Sequence, residues 1–229
     1  MVDEATRKLP SAEIYADMKD RLASGKFIQG SRLRAEKIRA GYGCSASTMR
    51  EILFRLACEG HVEAIDQKGF RVPMGTAQIR TELIGLRVIL EKEGLRLSLL
   101  NGDLEWEAQL SASFHKLNHI EETIAESGRI IPYLKVWNQA EFDFHRSLIS
   151  ACGSALLMDT HRNIYDRFRQ HLVGDDTSFG FRRENIREHR QILETALTRD
   201  LDQCQNAIEI HIDKDLTRRS KYHQHAALA

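Results

Sequence analysis

Proline is scarce in this chain, three in 229 residues, and aromatic side chains make up only 7% of it. Both shortages favour helix. No stretch approaches the roughly 18 consecutive apolar residues of a membrane span, and the N-terminus lacks an apolar run of signal-peptide length, so a cytoplasmic protein without membrane contact is expected. The four cysteines, Cys44, Cys58, Cys152 and Cys204, contain no C-x-x-C spacing. That argues against a structural zinc knuckle and for reduced thiols. There is no surplus of charge either, 33 Lys and Arg against 33 Asp and Glu, which excludes a uniformly basic coat for nucleic acid. The halves differ slightly: residues 1–75 hold 13 basic and 10 acidic side chains, a balance of +3, and the remainder carries −3.

The most informative stretch runs from Leu33 to Val72. Gly43 suits a left-handed turn between two short helices, and Ser45 is a good N-cap, so a helix should begin at Ala46. Ile52, Leu53, Leu56 and Ala57 give that helix an apolar face. Ser47, Thr48 and Arg50 lie in its first turns, where a helix-turn-helix presents side chains to the major groove. Glu59-Gly60 closes it. Arg34 to Tyr42 reads as the scaffolding helix of the pair. Val62–Ile65 and Phe70–Val72 read as two strands around a turn, a wing with Lys68 and Arg71 available for phosphates. The candidate DNA contacts are therefore Arg34, Ser45, Ser47, Thr48, Arg50, Lys68 and Arg71. A small helical domain with a surface hairpin and no nucleic-acid role is the alternative at this level.

Ile14, Tyr15, Met18 and Leu22 recur at helical spacing from Ser11, with Gly25 near the end, and complete a winged helix-turn-helix over residues 1–75. The first eight residues are polar and read as frayed. Pro73-Met74-Gly75-Thr76 marks a domain boundary. Residues 76–229 show no strand periodicity and read as six helices in an all-α antiparallel bundle. Asp103 should cap the second of these helices, Cys152-Gly153-Ser154 breaks the chain before the fourth, and Gly174 to Gly180 reads as a polar loop. The histidine-rich stretch Tyr222 to Ala229 reads as a tail.

Among ten histidines, His145, His189 and His211 each fall on the inward stripe of a different helix, and Glu141 lies one turn before His145. Imidazoles converging with a carboxylate make a plausible divalent-metal set, and histidines hydrogen-bonded into a core are the alternative.

The first half resembles the GntR family of bacterial transcription regulators. Gly30, Arg32, Leu33, Gly43, Ser45, Arg50, Glu51, Leu53, Leu56, Glu59, Gly60, Val62 and Gly69 fall in register with its DNA-binding segment. Ala46, Thr48 and His61 stand where that family commonly has arginine, proline and leucine. The missing arginine removes a frequent phosphate or guanine contact. The second half resembles the FCD ligand-sensing domain over residues 78–225. That resemblance implies a divalent metal, zinc or nickel, held by His145 in Glu141-Phe142-Asp143-Phe144-His145, by His189 in Glu188-His189-Arg190, and by His211. Glu141 takes the place of the usual aspartate, and Asp143 should face away. It also implies that Arg87, in Leu86-Arg87-Val88-Ile89-Leu90-Glu91, holds a small carboxylate effector beside the metal. The alternative for Arg87 is a surface ion pair with Glu91 at i, i+4.

These observations lead to a homodimeric DNA-binding regulator, a repressor by the habit of the family, with a double-stranded operator as partner. Its affinity for that operator would respond to a small organic acid beside the metal. The same role with a metal-free effector pocket is one alternative. A metal-dependent enzyme is another, but no glutamate stands three residues before His145, His189 or His211, as di-iron bundles require, and no nucleophile or phosphate-loop motif is present.

Overall fold

A computed structural model of the protein describes residues 9–172 and 181–226, with side chains to residue 213. Contacts divide the chain into two compact units, residues 1–76 with 169–175, and residues 77–168 with 176–229.

The first unit contains α1 (Ser11–Ala23), β1 (Arg32–Leu33), α2 (Ala35–Ile38), a 3-10 turn at Arg39–Gly41, α3 (Ala46–Cys58), β2 (Glu63–Ile65) and β3 (Gly69–Arg71). Ile14, Met18 and Leu22 of α1 pack against Met49, Ile52, Leu53 and Leu56 of α3, all within a few per cent of complete burial. The α3 N-terminus forms as its residues dictate. Gly43 has φ 63°, and Ser45 Oγ accepts from the Thr48 N–H at 3.0 Å. The scaffolding helix is shorter than expected: its α-helical part ends at Ile38 and a 3-10 turn completes it. The wing gains a strand that sequence reasoning did not foresee. β3 lies between β2 and β1, antiparallel to both, with Arg71 opposite Arg32 on one side and Glu63 on the other. A two-residue strand is too short to carry any periodicity, so β1 had no signal.

The second unit is helical among the described residues: α4 (Ala77–Asn101), α5 (Leu104–Ser127), a 3-10 turn at Ile131–Tyr133, α6 (Leu134–Leu148), α7 (Ala155–Leu172), α8 (Arg183–Leu197) and α9 (Leu201–Ala226). Asp103 caps α5 through the Trp106 N–H at 3.0 Å, as expected, and Gly153 turns the chain before α7 with φ 72°. Five of these helices form a ring: α4 packs on α9, α9 on α8, α8 on α5, α5 on α6, and α6 on α4. Gly94 allows close approach inside it, since a Cβ there would lie 2.8 Å from Ile149. The expected tail is corrected, because α9 continues as helix to Ala226. The final three residues, the loop expected at Gly174 to Gly180 and the first eight residues lie outside the described residues. All four cysteines are free thiols, Cys58 exposed and the others buried. No described helix is long and apolar enough to cross a membrane.

Candidate nucleic-acid interface and metal centre

Two sites emerge, one in each unit. In the first, Arg32, Arg34, Lys37, Arg50 and Lys68 line a groove of about 440 Å³ between the wing and helices α2 and α3, with Gly69 and Phe70 on its wall. Three expected contacts, Arg34, Arg50 and Lys68, are thus brought together, and Arg32 and Lys37 join them. Both newcomers were visible as basic residues beside Arg34, but only the fold turns them toward Lys68. At the α3 N-terminus the hydroxyls of Ser45, Ser47 and Thr48 cluster, Ser45 Oγ lying 2.7 Å from Ser47 Oγ and 2.8 Å from Thr48 Oγ1. A helix N-terminus fringed with hydroxyls and five cations suits a phosphate backbone.

Two of the expected cations already have carboxylate partners. Arg50 Nη2 donates to Glu36 Oε1 at 2.9 Å, and Arg71 donates to Glu63 through Nε and Nη2 at 3.1 and 2.9 Å. Arg71 lies outside the residues lining the groove. Both pairs are exposed enough to exchange partners at little cost.

In the second unit, Glu141 and His145 of α6, His189 of α8 and His211 of α9 offer ligand atoms within 4.8 Å of one another, all buried. The four expected metal ligands are therefore together. Asp143 does face away, accepting from Gln139 at 2.7 Å and pairing with Lys116 at 3.5 Å.

Each histidine is oriented by a buried carboxylate from another element of the network. His145 Nδ1 lies 2.7 Å from Glu91 Oε2, His189 Nδ1 is 3.1 Å from Glu121 Oε2, and His211 Nδ1 is 2.9 Å from Glu188 Oε2. A ring that donates Nδ1–H to a carboxylate leaves its Nε2 lone pair free for a cation, the arrangement that carboxylate–histidine–metal triads use. The Nε2 atoms of His189 and His211 are 3.1 Å apart, and that of His145 has no hydrogen-bond partner, although Glu141 Oε1 is 3.5 Å away. Three lone pairs and a carboxylate facing one point repel unless a proton or a cation sits among them. Their ligand atoms lie within 4.8 Å of one another, so Glu141, His145, His189 and His211 would hold one ion after a modest inward shift of their side chains. The donor set fits a borderline divalent ion such as zinc or nickel.

The carboxylates are themselves held. Glu91 accepts from Arg87 Nε at 2.7 Å and meets His161 Nε2 at 3.0 Å; Glu121 accepts from Trp137 Nε1 at 3.2 Å; Glu188 accepts from Arg182 Nη2 at 3.1 Å. Arg87 therefore does pair with Glu91, but in the interior, with both side chains at most 1% exposed, and not at the surface. Its Nη2 also reaches Glu141 Oε1 at 3.2 Å. Burial alone would raise the Glu91 carboxyl, yet His145, Arg87 and His161 outweigh it and hold it well below the usual carboxylate range. Burial pushes His145 down and takes His211 to about 3, helped there by the neighbouring His189. For His189 burial is overcome by the charge and hydrogen bond of Glu121, and its imidazole is pushed up.

Sequence reasoning missed Glu121, Glu188, His161 and Tyr165, whose hydroxyl donates to Glu141 Oε2, as members of this network, and took Glu91 only as an ion-pair partner. His161 had a signal, four residues beyond Leu157 on the apolar stripe of α7. Nothing in the sequence distinguishes these carboxylates from solvated ones.

The comparisons with known proteins agree with both halves. Residues 10–72 match the model of the bacterial regulatory proteins, gntR family, and residues 82–214 match that of the FCD domain. The chain is 34% identical over 200 residues to the uncharacterized HTH-type transcriptional regulator BphR of Paraburkholderia xenovorans, covering 86% of this chain and 79% of that one. It is 27% identical over 158 residues to the HTH-type transcriptional repressor GlaR of Escherichia coli, covering 69% and 70%. Among solved structures, E. coli McbR/YncC shares the fold with a TM-score of 0.75 at 18% identity, covering 93% and 98%.

Proposed function

The chain belongs to the GntR family of bacterial regulatory proteins and carries an FCD domain, and from that membership we propose that it is a metal-binding repressor whose hold on its operator is set by what binds in the helical unit. It is a DNA-binding transcription regulator and not an enzyme. The α3 N-terminus enters the major groove with Arg50 toward the bases, and Arg32, Arg34, Lys37 and Lys68 follow the phosphates. Repression has the support of the relative GlaR, itself a repressor.

The observation that carries the metal reading is the triple orientation of His145, His189 and His211 by Glu91, Glu121 and Glu188. Hydrogen-bonded core histidines need no common focus. These three have one, with Glu141 beside it. When bound, a divalent ion would supply a fixed positive charge linking α6, α8 and α9, and so bias the unit between two arrangements. A small carboxylate that displaces Glu141 from Arg87 is a second reading of the signal. A homodimer reading two half-sites completes the proposal. It is supported by the exposed apolar side chains Leu86 and Ile89 on α4 and Ile210 on the neighbouring α9.

Elemental analysis of protein purified without a histidine tag, alongside His145→Ala, His189→Ala and His211→Ala, tests the metal reading. Near-stoichiometric zinc or nickel that disappears in the variants is the expected result; equal metal content in all four proteins would defeat it. Selection of bound sequences from random double-stranded DNA, with and without metal, tests the regulator reading.

A further inference from the structure

Among the residues lining the groove between the wing and helices α2 and α3, five are cations and one, Glu36, is a carboxylate. Its two oxygens go to two arginines. Oε2 accepts from Arg39 Nε and Oε1 from Arg50 Nη2, both at 2.9 Å. Arg39 is only three residues on, so its bond is local and holds the carboxylate in place. Arg50 is 14 residues away on α3, so its bond ties the scaffolding helix to the recognition helix. Met49, Ile52 and Leu53 are buried, which leaves Arg50 and Ser47 on the outer side of α3.

Folding does not account for this pair. The Glu36, Arg39 and Arg50 side chains are 57%, 45% and 60% exposed, and ion pairs so exposed contribute little to stability. For bare affinity a carboxylate here is a cost, because it repels the phosphates that the five cations attract. What it supplies is orientation. An unrestrained arginine on a DNA-facing helix can settle on the nearest phosphate, a contact that carries no sequence information. A phosphate approaching Arg50 also approaches Glu36 and is repelled. One bond to Glu36 takes one of the five guanidinium N–H groups, and the O6 and N7 of a guanine need two of those that remain.

We propose that Glu36 is the positioning residue for Arg50: it keeps that guanidinium turned to a base edge and away from the flanking phosphates, and so sets how sharply the protein tells one sequence from another. The inference rests on the DNA-binding reading of the groove and names what aims its reading residue. Glu36 gives up some affinity for all DNA in exchange for discrimination.

The test uses the full chain. Wild-type protein selects sequences from a random double-stranded library, and the enriched duplex and a scrambled duplex of the same composition become the two probes. Affinity for each is measured over a salt series for wild type, Glu36→Gln, Arg50→Ala and the double variant. Glu36→Gln keeps the side-chain size and removes the charge. It should bind the scrambled duplex more tightly, and its ratio of enriched to scrambled affinity should fall at least about tenfold. Its salt slope on the enriched duplex should steepen by about one, as Arg50 turns to a phosphate. With Arg50 already replaced by alanine, Glu36→Gln should leave the ratio where it is. An unchanged ratio in the single variant overturns the proposal, whichever way the two affinities move together, and leaves DNA reading intact. A fall of equal size without Arg50 overturns it too, because Glu36 would then act independently of that residue. A wild type that enriches no sequence removes the reading of the groove and the inference with it.

Discussion

His189 and His211 bring their Nε2 atoms to 3.1 Å while their Nδ1 atoms are turned outward, one to Glu121 and the other to Glu188. Two helices, α8 and α9, thus meet across a pair of imidazoles whose lone pairs have nowhere else to go. The contact becomes favourable when a proton on one ring is donated to the other or when both rings hold a cation.

The orienting carboxylates should therefore be felt at the metal. Glu121→Gln and Glu188→Gln keep the size of the side chain and remove its charge, and each should lower zinc affinity by about 10- to 100-fold. Chelator competition measures this. Unchanged affinity in both variants would mean that the carboxylates serve packing alone.

Protons give a second readout. His189 is pushed above the ordinary imidazole value, so its proton must leave before metal binds, and affinity should fall as pH drops through that raised value. His145 is pushed down and His211 sits at about 3, so both are already neutral near pH 7. Any proton released on metal binding near neutral pH should accordingly come from His189 and not from His145 or His211. Calorimetry in buffers of differing ionisation enthalpy measures it.

At the DNA surface, Arg50→Ala should weaken operator binding by about 1–3 kcal/mol at fixed salt. Lys68→Ala should act instead through the phosphates, weakening all sequences alike and lowering the salt slope by about one. A sequence-independent loss in Arg50→Ala would move that residue from base reading to backbone contact.

Ser45→Ala tests the start of α3 without touching its packing. Loss of the bond to the Thr48 N–H should cost about 1 kcal/mol of stability, seen as a lower denaturant midpoint with an unchanged slope.

If Leu86 and Ile89 face a second copy, Ile89→Asp should shift the sedimentation of the protein toward monomer and leave zinc binding in place. A monomeric wild type would remove that face from consideration.

Much of this was legible in the residues. Gly43, Ser45 and Asp103 placed helix starts correctly because capping depends on one side chain and its nearest backbone groups. The convergence of His145, His189 and His211 was anticipated because helical spacing sets them on inward stripes. The carboxylates behind them were not, because each partner is distant along the chain: 54 residues separate Glu91 from His145, 68 separate Glu121 from His189, and 23 separate Glu188 from His211. An isolated glutamate on a helix carries no mark of the element it will face. Arg87 shows the same limit from the other side. Its partner Glu91 was correctly anticipated from the four-residue spacing, but whether that pair lay outside or inside depended on how α4 rolls against α6 and α9.

The ring of α4, α9, α8, α5 and α6 also has a consequence during synthesis. Its members emerge from the ribosome in the order of the chain, so Arg87, Glu91, Glu121, Glu141, His145 and His189 are all exposed before α9 arrives with His211. Until then the gap between α4 and α8 stays open, and the buried charges remain in contact with water. A ribosome stalled before α9 would hold a chain with its acidic interior accessible, a target for chaperones and proteases. The last helix would then close the interior.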